Sequence, residues 1–175
     1  IGDWSSDVCS SDLVKVRPGD NLMIHKAIQL AGPGDVLVVD GGGDLTNALI
    51  GEIMTSAAHA KGIVGMVIYG SVRDAGYLKT QDFGVFACGV THRGPYKDGP
   101  GEINVPVAFG GMVVHPGDLI LGDEDGVLCV WGVAGAPDGS GGVRERAAAA
   151  AAAAGAAAGG LQLLAAHASA HKWGI

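Results

Sequence analysis

The stretch that most constrains the fold is Gly41–Asp74, in which a glycine turn is followed by two apolar segments. The turn Gly41–Gly43 comes directly after the apolar run Val36–Val39, as expected where a strand ends in a tight bend. Apolar residues then recur at helical spacing until Gly62. The next apolar run, Ile63–Tyr69, is short and partly β-branched, which is typical of a strand buried on both faces. This order of segments predicts an α/β fold.

We expect the helix in this stretch to begin immediately after the glycine turn. Asp44, Thr46 and Asn47 are residue types that accept hydrogen bonds from the first backbone N–H groups of a helix. Such N–H groups have no partner inside the helix and attract negative charge, so the mouth of the turn suits a carboxylate or a phosphate. Glu52 is predicted to lie on the more polar side of this helix. The apolar positions at helical spacing are Leu45, Leu49, Ile53, Ala57 and Ala60.

A second group of residues, Gly70, Arg73 and Asp74, follows the predicted strand Ile63–Tyr69. Ligands of open α/β sheets bind at the carboxyl ends of the strands, so the glycine turn and the Arg73–Asp74 pair both lie where a site is expected. Each residue also has a simpler interpretation. Asp74 could cap the helix that follows it, Arg73 could form a surface ion pair, and Glu52 could be a solvated helix residue.

Composition narrows the class of protein. The chain has 175 residues, of which 48% are hydrophobic and 17% charged, so it can hold one domain with a substantial core. A formal charge of −7 with no basic cluster argues against a nucleic-acid-binding surface. No apolar run approaches the roughly 20 residues that span a bilayer, which predicts no membrane partner. Three cysteines without a CxxC pair indicate neither a disulfide framework nor a thiolate zinc site, so we expect a cytoplasmic protein.

The other predicted elements indicate a layered domain. Helices dominate the first half and short strands the second, which favours an α/β or layered β/β/α domain over a regular doubly wound sheet. Thr91–Glu102 is rich in glycine, proline and charged residues and is predicted to be a loop. The sequence allows this loop to be either fixed or mobile. Its residues His92, Arg93 and Lys97 either reach over the site to select the substrate or are solvated. The other predicted helices are Asn21–Leu30 and Ala75–Gln81, and the other predicted strands are Val14–Arg17, Val36–Asp40, Phe83–Cys88, Val105–Ala108, Met112–Val114, Asp118–Leu121 and Val127–Val130.

Both ends of the chain differ in character from the middle. Asp3–Leu13 resembles the translation of a short-read sequencing adapter, so we expect residues 1–13 to be non-native, with a disordered natural terminus as the alternative. The domain would then occupy residues 14–130. Residues 131–175 form a Gly/Ala-rich, low-complexity tail, in which an alanine run predicts a poorly anchored helix.

Several segments within Val14–Val130 resemble one protein family. They are VVDGGG at the glycine turn, the Glu52-x20-Arg73-Asp74 spacing, and the segments GVFACGVTHRGP and NVPVAFGGMVVHPGDLILGDEDGV. These segments are similar to the RraA-like family, which contains the regulator of ribonuclease E activity A and the class II, metal-dependent 4-hydroxy-4-methyl-2-oxoglutarate aldolases. The resemblance covers about two thirds of the chain, lacks the family's amino-terminal portion and departs from the family pattern beyond Leu128.

The resemblance implies a layered β/β/α domain of the swivelling type, assembled as a homotrimer or homohexamer with the site near a subunit boundary. It also implies roles for the residues that match. Asp74 would coordinate Mg²⁺ or Mn²⁺, Arg73 would bind the pyruvate part of a 2-oxo acid substrate, and Glu52 would act on a water held by the metal. The backbone that would hold the keto acid is that of Gly42, Gly43, Asp44 and Leu45.

The chemistry of a 2-oxo acid agrees with these implied roles. Its carboxylate and adjacent carbonyl can chelate a hard cation, and cleavage of the C3–C4 bond puts negative charge on that carbonyl as an enolate. Two functions are therefore expected: an aldolase (lyase) that releases pyruvate, with oxaloacetate decarboxylation as a side activity, or a regulator that inhibits ribonuclease E by binding it without catalysis. Asp74 favours the aldolase, because the regulator subgroup tends to lose the acid after the arginine.

Overall fold

The computed structural model describes residues 9–123, 126–130 and 161–164, which form three helices and eleven strands. The helices are α1 (Leu22–Leu30), α2 (Glu52–Ala60) and α3 (Ala75–Leu78). The strands are β1 (Cys9–Val16), β2 (Val36–Asp40), β3 (Ala48–Ile50), β4 (Gly65–Val72), β5 (Gly84–Val90), β6 (Gly101–Ile103), β7 (Val107–Phe109), β8 (Met112–Val114), β9 (Leu119–Asp123), β10 (Gly126–Val130) and β11 (Leu161–Leu164).

Nine of these strands build one mixed sheet. Its order is β11-β10-β9-β1-β2-β4-β3, with β5 also paired to β4 and β6 to β1. The strands around β4 are parallel: β2, β3 and β5 all run in the direction of β4, and β1 runs parallel to β2. The carboxyl ends of these strands therefore meet at one end of the sheet, which is where α/β sheets bind ligands.

The sheet has an apolar core on each face. On one face Leu37 and Val39 of β2 belong to a cluster with residues of α1 and α2, and on the other face Val36 and Val38 belong to a cluster with residues of β7 to β10. Alternate residues of a strand point to opposite faces, so a strand that is apolar throughout needs a layer on both sides. This arrangement confirms the predicted layered β/β/α domain.

Most predicted elements are confirmed, with shifts at their ends. β2 spans Val36–Asp40 as predicted, and α1 begins at Leu22, directly after the predicted first residue Asn21. β4 begins later than predicted, at Gly65, and continues to Val72, so it delivers the residues that follow it straight to the end of the sheet.

The predicted start of the central helix is wrong. The segment after the glycine turn forms β3, Ala48–Ile50, which pairs with β4, and α2 begins only at Glu52. All three residues of β3 are buried, so sheet pairing and burial outweigh the helix-capping potential of the polar residues before them. The buried face of α2 also differs from the prediction, because Ile53 is 76% exposed. The buried residues of α2 are Met54, Thr55 and Ala58.

The ends of the chain are described only in part. β1 begins at Cys9, so Cys9–Leu13 of the segment expected to be non-native belong to a strand that pairs with β2 and β9. The alanine run predicted to form a poorly anchored helix lies outside the described residues, whereas Leu161–Leu164 forms β11 beside β10. Within the described ranges, no helix is both long and apolar enough to cross a membrane.

The glycine turn supplies a test of the packing between β2, β3 and β4. A Cβ atom at Gly41 would lie 2.5 Å from Cδ1 of Leu49 and 2.9 Å from the backbone oxygen of Tyr69. We predict that Gly41→Ala lowers the free energy of unfolding by about 1–3 kcal/mol, because the buried leucine and the strand backbone have little room to move. Urea unfolding followed by circular dichroism measures the change.

Gly76→Ala is the matched control. A Cβ atom at Gly76 meets nothing within 4 Å, and the residue lies inside α3. Alanine is about 0.5–1 kcal/mol more favourable than glycine within a helix, so this variant should be at least as stable as the parent. Equal destabilisation by the two substitutions would contradict the described packing at Gly41.

Candidate active site

Arg73 and Asp74 follow β4 directly and lie beside the start of α2. The Arg73 N–H donates a hydrogen bond to the backbone oxygen of Ile50 (3.0 Å), which extends the pairing of β3 with β4. Asp74 then adopts a left-handed backbone conformation with a φ of 59°. Aspartate tolerates this conformation better than most residues other than glycine, and here it separates the strand from α3.

The Asp74 carboxylate caps α2. Its Oδ2 accepts a hydrogen bond from the backbone N–H of Glu52, the first residue of that helix, at 2.9 Å. Although Asp74 also precedes α3, its side chain makes no capping hydrogen bond to α3. A carboxylate at a helix start is stabilised by the unpaired N–H groups and by the positive end of the helix dipole. The capping interpretation therefore applies to the helix before Asp74 in the sequence, not to the one after it.

The Arg73 side chain lies against the same carboxylate. Its Nε is 3.7 Å from Oδ2 of Asp74, and the two side chains are 41% and 39% exposed. An ion pair this long and this exposed contributes little to stability. A surface ion pair is therefore a weak explanation for the arginine at position 73. The guanidinium and the carboxylate both remain accessible to a ligand.

Gly51 is a site residue that the sequence analysis missed. A Cβ atom at this position would collide with Oδ2 of Asp74 and lie 2.8 Å from Cγ of Arg73. Its φ of −162° is extended backbone that any residue adopts, so the requirement is for space alone. The only signal in the sequence is a glycine before a helical segment, which is weak in a chain with 31 glycines.

The glycine turn lies at the same end of the sheet, but its backbone is engaged internally. The N–H of Gly42 donates to Oδ1 of Asp40 at 2.9 Å, and the N–H of Gly43 donates to the backbone oxygen of Tyr69 at 3.1 Å. These bonds hold the turn against β4. They also occupy two of the N–H groups in Gly42–Leu45, the segment predicted to bind the keto acid.

Asp44 is likewise engaged within its own loop. Its carboxylate accepts hydrogen bonds from the Thr46 hydroxyl at 2.6 Å and from the Thr46 N–H at 3.3 Å. The hydroxyl bond, together with backbone N–H groups of Thr46 and Asn47, outweighs desolvation and lowers the pKa of Asp44. Leu45, the last residue of the predicted substrate segment, is 53% exposed.

The first turn of α2 is a second candidate, besides the glycine turn predicted from the sequence, for a main-chain contact to an anion. Of the predicted residues, the structure brings together Glu52, Arg73 and Asp74, and no hydrogen bond or ion pair in the described part of the chain joins them to residues 42–45. Helix-start N–H groups lack acceptors within the helix. Because Asp74 accepts from the N–H of Glu52, the next N–H in the turn, that of Ile53, is the one best placed to bind an anion.

The loop after β5 closes the site on the side of Arg73. The backbone oxygen of Arg93 accepts a hydrogen bond from the N–H of Ala48 at 2.9 Å, and that of Gly94 accepts one from Nδ2 of Asn47 at 2.6 Å. A Cβ atom at Gly94 would lie 3.6 Å from Nη1 of Arg73. The loop is therefore tied to β3 where it meets the arginine. The side chains of His92, Arg93 and Lys97 are exposed.

A small cavity lies beside Arg73, with a volume of about 30 Å³. Asn21, Gly51 and Pro95 are among its lining residues, and Oδ1 of Asn21 is buried without a hydrogen-bond partner. This volume is enough for one water molecule but not for a keto acid. A ligand larger than water would therefore have to contact Arg73 and Asp74 from their exposed side.

The residues around Asp74 fit a hard divalent cation held mainly by water. No group of three or more His, Cys, Asp or Glu side chains in the described ranges could form a complete protein cage for a metal. Mg²⁺ does not require such a cage, because it keeps several waters and binds through one or two carboxylates. Asp74 offers one carboxylate whose Oδ1 makes no hydrogen bond within the described residues, and Glu52, whose backbone N–H bonds Asp74, carries a second, exposed carboxylate.

The fold and the site together define a class of protein: a layered α/β domain that presents an arginine, a carboxylate and a helix start at one end of its sheet. A sequence profile of the RraA-like family (Aldolase/RraA) matches residues 13–129. The chain belongs to this family.

Individual relatives are consistent with this assignment. The chain is 44% identical over 117 residues to a protein of Halalkalibacterium halodurans provisionally named a 4-hydroxy-4-methyl-2-oxoglutarate aldolase, covering 67% of this chain and 56% of the relative. A Pseudomonas fluorescens protein with the same provisional name is 42% identical over 62% of this chain and 67% of its own. The chain thus spans little more than half the length of the first relative.

A solved structure gives the same fold. The RNA-processing inhibitor RraA from Thermus thermophilis superposes with a TM-score of 0.66 at 37% identity, covering 70% of this chain and 74% of that one. The similar proteins therefore include both names, aldolase and RNA-processing inhibitor, that the sequence leaves as alternatives.

The space at Gly51 can be tested directly. We predict that Gly51→Ala displaces the Asp74 carboxylate from the N–H of Glu52, because a Cβ atom cannot coexist with Oδ2 in its present place. Loss of this cap should lower the free energy of unfolding by about 0.5–2 kcal/mol. Urea unfolding measures that loss, and titration with Mn²⁺ measures whether the displaced carboxylate still binds a cation.

Gly76→Ala again serves as the control, because it adds the same methyl group just beyond Asp74 in open space. It should leave Mn²⁺ binding unchanged. If Gly51→Ala were as stable as the parent, the Asp74 carboxylate would not be the group that caps α2.

Proposed function

We propose that this protein is a divalent-metal-dependent aldolase, a lyase that cleaves 4-hydroxy-4-methyl-2-oxoglutarate or a related 4-hydroxy-2-oxo acid to pyruvate and a second carbonyl compound. The observation that carries the proposal is the position of the exposed Asp74 carboxylate between the Arg73 guanidinium and the first turn of α2. Oxaloacetate decarboxylation is proposed as a side activity, because loss of CO₂ from oxaloacetate also leaves the enolate of pyruvate.

The keto acid is proposed to bind between Arg73 and the start of α2. Arginine presents a planar fork of N–H donors that can bond two oxygens at once. These can be both oxygens of the carboxylate, or one carboxylate oxygen and the adjacent carbonyl oxygen. The N–H of Ile53 and the positive end of the α2 dipole favour the same negative charge. The backbone proposed to contact the keto acid is thus that of the first α2 turn, and not that of Gly42–Leu45, where two N–H groups are bonded internally.

Asp74 is proposed to hold the Mg²⁺ or Mn²⁺ ion through its Oδ1, while its Oδ2 stays bonded to α2. When bound, the ion supplies positive charge to the carbonyl oxygen of the keto acid. Arg73 stabilises the negative charge that develops on the same oxygen as the C3–C4 bond breaks. The exposed Glu52 carboxylate is proposed to orient the water that accepts the proton of the C4 hydroxyl.

An amine-based aldolase mechanism receives no support from the lysine in the central stretch. Lys61 follows α2 at its carboxyl end, opposite the end that meets Asp74. Its Nζ donates hydrogen bonds to the backbone oxygens of Ile28 and Gln29 at 2.8 and 2.7 Å. An ammonium engaged in this way at the far end of the helix is not placed to form a Schiff base with a ligand at Arg73.

The alternative function is a protein-binding regulator that inhibits ribonuclease E without catalysis. The similarity to the Thermus RNA-processing inhibitor is the observation that favours it. Such a regulator needs a surface rather than a cation site, so it gives no role to an exposed carboxylate held at a helix start. The two functions are separated by whether activity depends on the cation.

A homotrimer or homohexamer in the cytoplasm is proposed as the working form. Leu45 and Ile53 are large apolar residues that are 53% and 76% exposed, and Ile53 lies in the first turn of α2, within the proposed site. Burial of such side chains between subunits would be favourable. The exposure of Ile53 supports a subunit boundary beside the site.

The cation requirement is the direct test of the function. We predict that pyruvate release from 4-hydroxy-4-methyl-2-oxoglutarate or oxaloacetate requires Mg²⁺ or Mn²⁺, because the site holds no other strong electrophile besides Arg73. EDTA should abolish the activity and excess Mg²⁺ should restore it. Coupling to lactate dehydrogenase follows pyruvate formation continuously.

The outcomes distinguish the mechanisms. Full turnover in EDTA would exclude the metal-dependent mechanism. Inactivation by borohydride in the presence of substrate would indicate a Schiff-base mechanism instead. Inhibition of ribonuclease E that is unaffected by EDTA, with no pyruvate release, would establish the regulator.

Separate substitutions divide the roles of Arg73 and Asp74. We predict that Asp74→Asn lowers Mn²⁺ affinity and turnover together, because it removes the charged ligand. Arg73→Lys should leave Mn²⁺ affinity intact but lower kcat/KM by roughly 10²–10³, since it keeps one charge and loses the planar fork. Calorimetric Mn²⁺ titration and the pyruvate assay provide the two measurements, and thermal melting confirms that each variant is folded.

Either of two results would reverse this assignment. Near-normal turnover in Arg73→Lys would mean that the arginine does not contact the reacting oxygens. Unchanged Mn²⁺ affinity in Asp74→Asn would leave Asp74 with only its capping role on α2.

A further inference from the structure

Asp20 is a buried carboxylate that the proposed mechanism does not use. It lies between the end of β1 and the start of α1 and is 1% exposed. Its Oδ1 accepts a hydrogen bond from the N–H of Leu22 at 2.9 Å. Its Oδ2 accepts two more, from the N–H groups of Asp98 at 2.8 Å and Gly99 at 2.9 Å. One side chain thus bonds both its own helix start and a loop that is distant in sequence.

The surroundings of Asp20 keep it ionised. Burial raises the pKa of the carboxyl, but the N–H groups of Leu22, Asp98 and Gly99 and the nearby Arg17 together lower it below its usual value. Nη2 of Arg17 lies 3.4 Å from Oδ2 of Asp20. Hydrogen bonds from N–H groups to an ionised acceptor are stronger than those between neutral groups. The Asp20 carboxylate therefore acts as a hydrogen-bond acceptor for backbone N–H groups and does not exchange a proton near neutral pH.

The loop that Asp20 holds is attached at two further points. Near Asp20, the N–H of Tyr96 donates to the backbone oxygen of Gly19 at 2.8 Å, and the N–H of Asn21 donates to that of Tyr96 at 3.0 Å. The opposite end of the loop is bonded to β3 and to Asn47 through the oxygens of Arg93 and Gly94. Residues 93–99 therefore form a strap between the β1–α1 turn and β3, and we call this segment the 93–99 strap.

The 93–99 strap passes beside the arginine of the site near its Arg93–Gly94 end. Gly94 approaches Nη1 of Arg73, and Pro95 lines the cavity beside the same side chain. The strap is thus the wall on one side of the guanidinium. If its Asp98–Gly99 end were released, Gly94 and Pro95 would keep the backbone bonds of Tyr96 on that side but lose the support of the strap beyond Tyr96, and Arg73 would gain room to leave its present position.

We propose that Asp20 is a positioning residue, which fixes the guanidinium of Arg73 toward the keto acid by holding the 93–99 strap against it. This role rests on the proposed function, because it assumes that Arg73 binds the substrate. Asp20 itself touches neither substrate nor cation. This role explains why three backbone N–H groups donate to one buried carboxylate, that of Asp20, at a distance from the reacting atoms.

Asp20→Asn is the decisive variant. The amide keeps the shape of the side chain but replaces one acceptor oxygen with an NH₂ group, which cannot accept from the strap. We predict that KM for the keto acid and the Kd for oxalate, used as a non-reacting probe, rise by roughly 10- to 100-fold, as expected for a misplaced binding group. Mn²⁺ affinity should stay at the parental value, because Asp74 is bonded to α2 and not to the strap. Trypsin should cleave after Arg93 or Lys97 faster than in the parent.

Two further variants separate positioning from general destabilisation. Asp118→Asn changes another buried carboxylate that accepts a backbone N–H, that of His115 at 2.8 Å, in the β8–β9 turn away from the site. It should lower the melting temperature without changing KM or oxalate binding. Asn47→Ala removes the bond to the Gly94 oxygen, one of the two hydrogen bonds at the other end of the strap, from a half-buried position, and it should raise KM in the same direction as Asp20→Asn even if the latter folds poorly.

The results separate this proposal from the proposed function. A parent protein that neither releases pyruvate nor binds oxalate removes the proposed function and the role of Asp20 with it. An active parent whose Asp20→Asn and Asn47→Ala variants keep the parental KM overturns the role of Asp20 alone. An equal rise in KM in Asp118→Asn would also overturn it, because the effect would then be general.

Discussion

The hydrogen bond between the Asp74 carboxylate and the N–H of Glu52 joins the two halves of the candidate site. It adds to the backbone bond from Arg73 to Ile50, which already holds the end of β4 beside the segment that leads into α2. With it, the chain must place a glycine at position 51, because any larger side chain would occupy the space of the carboxylate. The bond also orients the carboxylate, so that one oxygen is committed to the helix and the other stays accessible.

Support for this arrangement comes from residues far from it in sequence. The 93–99 strap passes beside Arg73 close to the end that is bonded to β3, and its other end is bonded to the β1–α1 turn, where Asp20 is the acceptor. Each of these contacts links backbone to backbone or backbone to a short side chain. Such contacts leave few rotatable bonds between the anchor and the site, which favours precise placement over adaptability.

The sequence predicts the parts of this protein that depend on local patterns. The apolar run of β2, the helix α1 and the charged pair after β4 can all be predicted from the sequence, because strand burial and helical periodicity act over a few residues. The first residue of α2 cannot be predicted from the local sequence, because Ala48–Ile50 is extended only through its pairing with β4. Gly51 and Asp20 are missed for the same reason: what they contact lies more than 20 residues away in the chain.

The left-handed backbone at Asp74 has a consequence for how such a protein can evolve. Glycine, asparagine and aspartate adopt this conformation at low cost, whereas most other residues are strained in it. The genetic code connects aspartate to both asparagine and glycine by one nucleotide change. A lineage can therefore discard the carboxylate in one mutational step while the chain keeps its path from β4 into α3. The fold thus lies one substitution away from a descendant that lacks the proposed cation ligand and is free to be selected for binding another macromolecule.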